Sequence, residues 1–264
     1  MYLLTVDIGN TNIVVGILDG TNLIKSARIG TDRRKTYFDF LLQLRQMMEV
    51  FGIGTADIVD GILSSVVPEL TQQVGDAMRH LLGKDILVIG KDGVKTGLDI
   101  ATDNPQATGA DRIADAVGAI NQYPLPIVVV DMGTATTVSV IDRDRRLVGG
   151  MIIPGARTSL ASLSQRASQL PFITIEAPTC LIGRNTVDSM KSGIIYGYAS
   201  MIDGLVQRIA DEMGTLPTVV ATGGISHLVT PFCHHKIIYD ENLLLKGLYY
   251  VYLLNRPKSG KVAE

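Results

Sequence analysis

Val6-Asp7-Ile8-Gly9-Asn10-Thr11-Asn12 and Val130-Asp131-Met132-Gly133-Thr134-Ala135-Thr136-Thr137 state one pattern twice. In each, an apolar run (Tyr2 to Val6, Ile127 to Val130) ends in Asp, one spacer and Gly, and a second strand-like run follows. The pattern predicts a β-hairpin whose tight turn exposes backbone N–H groups and hydroxyls, with the Asp at its mouth. Asp and Gly are ordinary turn residues, so one copy would say little. Two copies whose aspartates are 124 residues apart (131 − 7) in a chain of 264 indicate an internal duplication. The flanks align at that offset, Leu3-Leu4-Thr5-Val6 with Ile127-Val128-Val129-Val130 and Ile13-Val14 with Thr137-Val138. Two such turns facing each other would clamp a nucleotide's phosphates and its metal ion.

Composition is compatible with two modest domains. Hydrophobic residues make up 46% of the chain and aromatic ones only 5%, with no Trp, so the core must be aliphatic. A formal net charge of −2 leaves no basic footprint and argues against nucleic acid as the main partner. Cys180 and Cys233 are 53 residues apart and lack metal-ligand spacing, which implies reduced, buried thiols rather than a disulfide framework or a zinc site. The N-terminus leads almost directly into a strand, with no signal-like segment. No run approaches the about 18 apolar residues that span a bilayer. The expectation is a soluble, cytoplasmic enzyme without a membrane partner.

Along the chain, Phe38, Leu41, Leu42, Leu44, Met48 and Phe51 mark a helical face over 37–51, stopped by Gly52. Ile58 to Val67 reads as a strand with Ser64-Ser65 near its end. Pro68 opens a helix with the stripe Leu70, Val74, Ala77, Met78, Leu81, stopped by Gly83, and Ile86 to Ile89 is a short strand. A similar order follows Ile127: strands to Val148, a helical stretch from about Thr158, and a long helix over Thr186 to Met213. A strand over Thr218 to Ala221 then runs into Thr222-Gly223-Gly224, and the last helix covers roughly Glu241 to Leu254. The alternation predicts an α/β fold of two halves, 1–118 and 119–264, with mixed sheets covered by helices on both faces and a cleft between them. Asn255 to Glu264 reads as a frayed polar tail.

Asp103-Asn104-Pro105-Gln106-Ala107-Thr108-Gly109-Ala110-Asp111-Arg112 precedes an amphipathic helix over Ile113 to Ile120. Asp at a helix start is favoured electrostatically whatever its function. Its chemical reading is that Asp111 takes a proton from a hydroxyl while Arg112 holds an anionic group beside it. Spacing does not choose between a substrate carboxylate and a phosphoryl oxygen for Arg112. Thr186, after Asn185 and with Asp188 nearby, fits either a substrate contact or a helix N-cap. His234-His235 read as a solvated loop and the charges from Asp142 to Arg146 as a hairpin turn, while Arg33-Arg34-Lys35 fits a solvated face better than a position near phosphates.

Taken in order, Asp-Ile-Gly-Asn-Thr-Asn at 7–12, Ser-Ser-Val-Val-Pro at 64–68, Asp-Asn-Pro then Gly-Ala-Asp-Arg at 109–112, and Asp-Met-Gly-Thr-Ala-Thr-Thr at 131–137 resemble the type III pantothenate kinases. So do Pro154-Gly155, Asn185-Thr186 with 189–193, and Ala221-Thr222-Gly223-Gly224. Thr108 and Lys191 depart from the family pattern, where an aliphatic residue and Gln are usual. The resemblance implies two ribonuclease-H-like halves of the acetate and sugar kinase, actin and heat-shock chaperone superfamily. The activity it implies is ATP-dependent phosphorylation of pantothenate on its 4′-hydroxyl, the first step toward coenzyme A.

Residue by residue, it implies that Asp7, Ile8, Gly9, Asn10, Thr11, Asn12, Ile13 and Val14 form the first phosphate loop, with Asp7 near Mg²⁺. Asp131 would bind a monovalent cation, K⁺ or NH₄⁺, and Thr134 the nucleotide. Gly109, Ala110, Asp111, Arg112 and Thr186 would contact pantothenate, with Asp111 the proton acceptor. Gly223 and Gly224 would pack against adenosine. A homodimer is also implied, and Ile194 to Met201 fits either an interface or core. Two alternatives remain at this level: a kinase or phosphatase of the superfamily with another small hydroxylated substrate, and a non-catalytic accessory paralogue.

Overall fold

The computed structural model describes residues 1–256 and divides them into two compact units. In the first, β1 (Tyr2–Ile8), β2 (Asn12–Asp19) and β3 (Asn22–Gly30) form an antiparallel meander. Helix α1 (Tyr37–Phe51), strand β4 (Ile58–Ser65), helix α2 (Pro68–Leu82) and strand β5 (Leu87–Val88) follow. The sheet order is β3-β2-β1-β4-β5, with β4 parallel to β1 and β5 parallel to β4.

Local chemistry sets these bounds. Thr36 caps α1 in a reciprocal capping box with Asp39, and Gly52 ends it at φ 67°. Pro68 opens α2 and Gly83 closes it at φ 66°. The face of α1 is rotated from the expected one. Phe40 joins Leu41, Leu44 and Met48 in the core, whereas Phe38 and Leu42 are exposed, because α1 packs against both the sheet and α2. These side chains enclose Leu4, Val6 and Ile8 of β1, Ile13, Val15 and Ile17 of β2, and Leu63 of β4.

In the second unit, β7 (Ile127–Met132), β8 (Ala135–Ile141) and β9 (Arg146–Pro154) form the second meander, followed by α4 (Ala156–Arg166) and the long α5 (Thr186–Met213). Strand β10 (Thr218–Thr222), the single-turn α6 (Ser226–Val229) and β11 (Ile237–Tyr239) complete it. Apart from β6 (Asp99–Ile100) at its edge, the order β9-β8-β7-β10-β11 repeats that of the first unit. One face of this sheet, carrying Val128, Val130, Met132, Val138 and Val140, packs on Ala156 of α4, Ile195, Ala199, Ile202 and Val206 of α5, and Val229 of α6. Thus one face of Ile194 to Met201 is core. The Asp142 to Arg146 segment is the β8–β9 turn, with the Asp142 carboxylate accepting from the Asp144 and Arg146 N–H groups.

The halves are not contiguous in sequence. The first unit comprises Met1–Leu98, Asp103–Asn121 and the chain from Asn242 on, and the second comprises Asp99–Thr102 and Gln122–Glu241. A boundary at 118/119 therefore falls inside α3 (Ala110–Gln122), and assigning all of 119–264 to one half does not describe these units. Two contacts account for the difference. Strand β6 pairs in parallel with β9, and α7 (Leu243–Asn255) packs on β1 and β4, with Leu243, Leu245, Leu248 and Val251 buried. The expected tail lies, beyond Arg256, outside the described residues. No helix among the described residues is long and apolar enough to cross a membrane. Cys180 is exposed and Cys233 half-buried, not both buried, because Cys180 sits in the irregular segment before α5. Burial pushes the Cys233 thiol up to about 12.

Helices α3 and α7 meet backbone to backbone. A Cβ on Gly118 would strike the Leu243 carbonyl, and one on Gly247 would overlap the Ala114 carbonyl. Gly247→Ala would gain up to about 1 kcal/mol in an exposed helix. Here overpacking should outweigh that gain, for a net loss of about 1–3 kcal/mol in urea denaturation.

Candidate active site

Side-chain alternation aims the first unit's chemistry. Val6 and Ile8 point into the core under α1 and α2, so Asp7 projects from the opposite face of β1, at its C-terminal end. The turn that follows is closed by the Gly9 N–H donating to the Asn12 carbonyl at 3.0 Å, and it leaves Asn10, Thr11 and Asn12 exposed. The segment after β3 braces it: the Thr31 hydroxyl donates to the Gly9 carbonyl at 2.7 Å, and the Thr31 N–H to the Thr11 carbonyl at 3.0 Å. Arg33 Nη2 lies 3.4 Å from Asn10 Oδ1, and its Nη1 lies 3.6 Å from Glu69. Arg33, part of a basic run read mainly as a solvated face, is therefore attached to the turn after β1.

Parallel pairing brings the next piece alongside. Asp7 is in register with Ser64, Ile8 with Ser65, and the Val66 N–H donates to the Ile8 carbonyl at 3.0 Å. Val66 Cγ1 in turn lies 3.6 Å from where a Cβ on Gly109 would stand. The turn after β1, the end of β4 and the Gly109–Arg112 turn thus meet within one unit.

Helix α3 begins at Ala110, three residues before the expected Ile113, so Asp111 and Arg112 occupy its first turn. A Cβ on Gly109 would overlap the Asp111 carboxylate where it stands. The Asp111 Oδ1 accepts the Arg112 N–H at 2.7 Å. Burial raises the pKa of Asp111, and the Arg112 N–H and guanidinium oppose the rise without cancelling it. The result is a carboxylate with an enhanced affinity for a proton.

In the second unit Asp131 ends β7 as Asp7 ends β1, and it pairs with Thr137 of β8 and Thr222 of β10. The turn after it is one residue shorter. Met132 pairs with Thr136 across three turn residues, whereas Ile8 pairs with Ile13 across four. Beyond the turn, therefore, Ile13 corresponds to Thr136, not to Thr137 as the uniform offset implied. The exposed Thr134 presents its side chain while its carbonyl accepts the Gly155 N–H at 3.2 Å and the Thr158 hydroxyl at 2.8 Å. Gly223, at φ 92°, follows β10, and any Cβ there would overlap an Asp131 carboxylate oxygen. Asp131, Thr134 and Gly223, with Gly224 beside it, are thus assembled in one unit.

Thr186 stands at the start of α5, exposed, but it is not the cap. Asn185 is, with its Oδ1 accepting the Asp188 N–H at 2.9 Å. The rest of this turn is local: Ser189 bonds the Gly183 carbonyl, and Lys191 reaches Glu176 at 2.6 Å. The His234 and His235 N–H groups are held by Asp203 at 2.7 and 2.9 Å, which makes that loop a structural one.

Ion chemistry fits both aspartates. Mg²⁺ takes hard oxygen ligands and commonly binds through one or two carboxylates plus phosphate and water. Asp7, half-buried beside exposed loop amides and a serine hydroxyl, matches that demand. No cluster of three or more His, Cys, Asp or Glu among the described residues is arranged to hold a metal. At Asp131 the absence of a side chain on Gly223 lets backbone lie against the carboxylate, and carboxylate with other oxygens is a donor set that suits a cation.

Thr31, Arg33 and Ser64 are the neighbours of the site that residue spacing did not assign to it. Their link to the loop is made by strand pairing and a return of the chain, not by proximity in sequence.

A family model described as type III pantothenate kinase matches residues 3–208. The type III pantothenate kinase of Brevibacillus brevis is 42% identical over 256 residues, covering 96% of this chain and 99% of its own. That of Geobacter sulfurreducens is 41% identical over 254 residues, with the same two coverages of 96% and 99%. Among solved structures, a conserved Campylobacter jejuni protein of the Baf family, described as a transcriptional activator, superimposes with a TM-score of 0.58 at 22% identity over 96% of this chain and 98% of that one. A ROK family glucokinase of Streptomyces griseus does so with a TM-score of 0.52 at 15% identity over 97% and 99%. These structural likenesses speak for the fold alone, that of the actin-like ATPases and sugar kinases. A family model spanning most of the chain, and relatives above 40% identity along almost their whole length, place this chain in the type III pantothenate kinase family.

Proposed function

We propose that this chain catalyses ATP-dependent phosphorylation of pantothenate to 4′-phosphopantothenate, the first step of coenzyme A biosynthesis, in the cytoplasm. The observation that supports the reading is the presence, within one unit, of a phosphate-type loop and a half-buried carboxylate whose proton affinity is raised. Family membership supplies the substrates.

Phosphoryl transfer proceeds through a loose transition state, so positioning and charge neutralisation provide most of the rate enhancement. Residues 7–14 cradle phosphate through the turn's amides and the Asn10, Thr11 and Asn12 side chains, with Arg33 adding positive charge at the rim. Asp7 holds Mg²⁺, which when bound offsets the negative charge of the transferring group. Asp131 holds K⁺ or NH₄⁺, Thr134 contacts the nucleotide, and Gly223 and Gly224 let backbone approach adenosine.

Gly109, Ala110, Asp111, Arg112 and Thr186 contact pantothenate. Asp111 accepts the proton of the 4′-hydroxyl as that oxygen bonds to the γ-phosphorus and the bond to the ADP oxygen breaks. The upward direction of its pKa suits the task, because a general base works best when its pKa lies nearer the working pH. Arg112, one residue on, binds an anionic group beside it.

The active form is a homodimer in this proposal. Support comes from α5, which carries Gly193, Gly197, Ser200 and Gly204 exposed at helical spacing, with open space where each glycine's Cβ would be. Phe172, Leu181 and Ile182 are exposed in the segment that precedes α5.

Purified protein with ATP, Mg²⁺ and pantothenate should form phosphopantothenate in a coupled assay; its absence under all cation conditions refutes the activity. Asp131→Asn should remove the advantage of K⁺ over Na⁺ in the same assay. Asp111→Asn should lower turnover by about 10²–10⁴-fold while leaving nucleotide and pantothenate binding nearly unchanged by calorimetry.

Asp111→Asn also has a pH signature. A carboxyl whose folded pKa is raised above its ordinary 3.8 stabilises the fold at low pH relative to neutral pH. That advantage is lost as pH rises through the folded pKa, where the half-buried group must carry charge. The Asn variant should therefore melt above wild type at pH 7, with the gap closing as pH falls toward 3.8.

A further inference from the structure

Ser64 is wholly buried, 0% exposed, yet its hydroxyl makes no hydrogen bond among the described residues. Its neighbours do not share that condition. The Thr5 hydroxyl, two residues before Asp7 on the same face, donates to the Gly16 carbonyl at 3.0 Å. The Ser65 hydroxyl receives the Thr71 hydroxyl at 2.8 Å and the Val67 N–H at 3.2 Å. A buried, unbonded hydroxyl costs free energy that an alanine of nearly the same shape would avoid. Such a group calls for a partner that arrives later.

Register identifies the partner. Ser64 is paired with Asp7 across the parallel β1–β4 ladder, on strands about 4.8 Å apart, and register partners project to the same face. Leu63 goes with Val6 into the core, so Ser64 goes with Asp7 to the other side. The second unit repeats the juxtaposition, with Thr222 of β10 the parallel partner of Asp131. The duplicated fold thus sets a hydroxyl beside each of its two aspartates.

We propose that Ser64 is a positioning residue for Asp7. When the magnesium nucleotide binds, a rotation about the Ser64 Cα–Cβ bond lets its hydroxyl donate to one oxygen of the Asp7 carboxylate, which fixes the other oxygen toward the ion. This rests on the assignment of Asp7 to Mg²⁺ above. The stability lost to an unbonded hydroxyl in the free protein is recovered as metal affinity in the complex.

The test uses the full chain as wild type, Ser64→Ala, Ser64→Thr and Asp7→Asn, with ATP affinity titrated against Mg²⁺ by calorimetry and melting temperature measured without ligand. Ser64→Ala should melt at or above wild type and bind ATP in EDTA as wild type does. It should need about tenfold more Mg²⁺ for half-maximal enhancement of binding, the scale of one hydrogen bond to a charged group. Ser64→Thr, which keeps the hydroxyl, should restore the wild-type requirement.

An unchanged Mg²⁺ requirement in Ser64→Ala, or an equal loss of ATP affinity with and without Mg²⁺, overturns the proposal. The latter marks a purely structural residue. Asp7→Asn separates the two levels: if it leaves the Mg²⁺ requirement untouched, the assignment of Asp7 fails. If it raises the requirement and Ser64→Ala does not, only the role of Ser64 fails.

Discussion

A β-strand turns successive side chains to opposite faces, and in β1 that constraint places the chemistry. Val6 and Ile8 belong to the core beneath α1 and α2, so Asp7 is sent to the far face of the sheet, at the strand's end, where the turn exposes its amides. Parallel pairing with β4 then determines what stands beside it, because register partners share a face. A one-residue slip of β4 would put Leu63 or Ser65 beside Asp7 and a polar group in the core. Aliphatic packing on one side of the sheet is therefore what aims the polar site on the other.

The second unit applies the same rule with different details. Asp131 occupies the equivalent strand end, yet its turn is one residue shorter and faces Gly223, whose place in the first unit is taken by Ser65. A glycine at φ 92° brings backbone close against the Asp131 carboxylate, whereas Ser65 is committed to hydrogen bonds with Val67 and Thr71. Duplication preserved the frame of the sheet and left the surroundings of each aspartate free to diverge. Unequal surroundings are consistent with the proposed division into divalent and monovalent cation roles.

The first unit's remaining chemistry depends on α3. Its N-terminus meets the end of β4 through Gly109 and Val66, and further along it meets α7 through Gly118 and Gly247. Contacts this close leave little freedom for the helix to slide. Asp111 in its first turn is held between opposing influences, burial that favours its protonated form and donors that favour its charge. Burial prevails, and the carboxylate binds a proton more tightly than an ordinary aspartate does.

By itself the sequence determined the elements and the family. Gly and Pro signals located α1 and α2 at their observed bounds, the 28-residue α5 lies where the long helix is expected, and the repeated Asp-x-Gly turn disclosed the two sheets. These signals are local, fixed by backbone sterics and capping within a few residues. Tertiary structure decided what depends on chain segments far apart. It returned α7 to the first unit, rotated α1 so that Phe40 rather than Phe38 is buried, and attached Arg33 to the loop at Asn10. It also set Ser64 beside Asp7 across 57 residues of sequence (64 − 7). Pairing register and helix packing are chosen by the whole core at once, and no local pattern carries that choice.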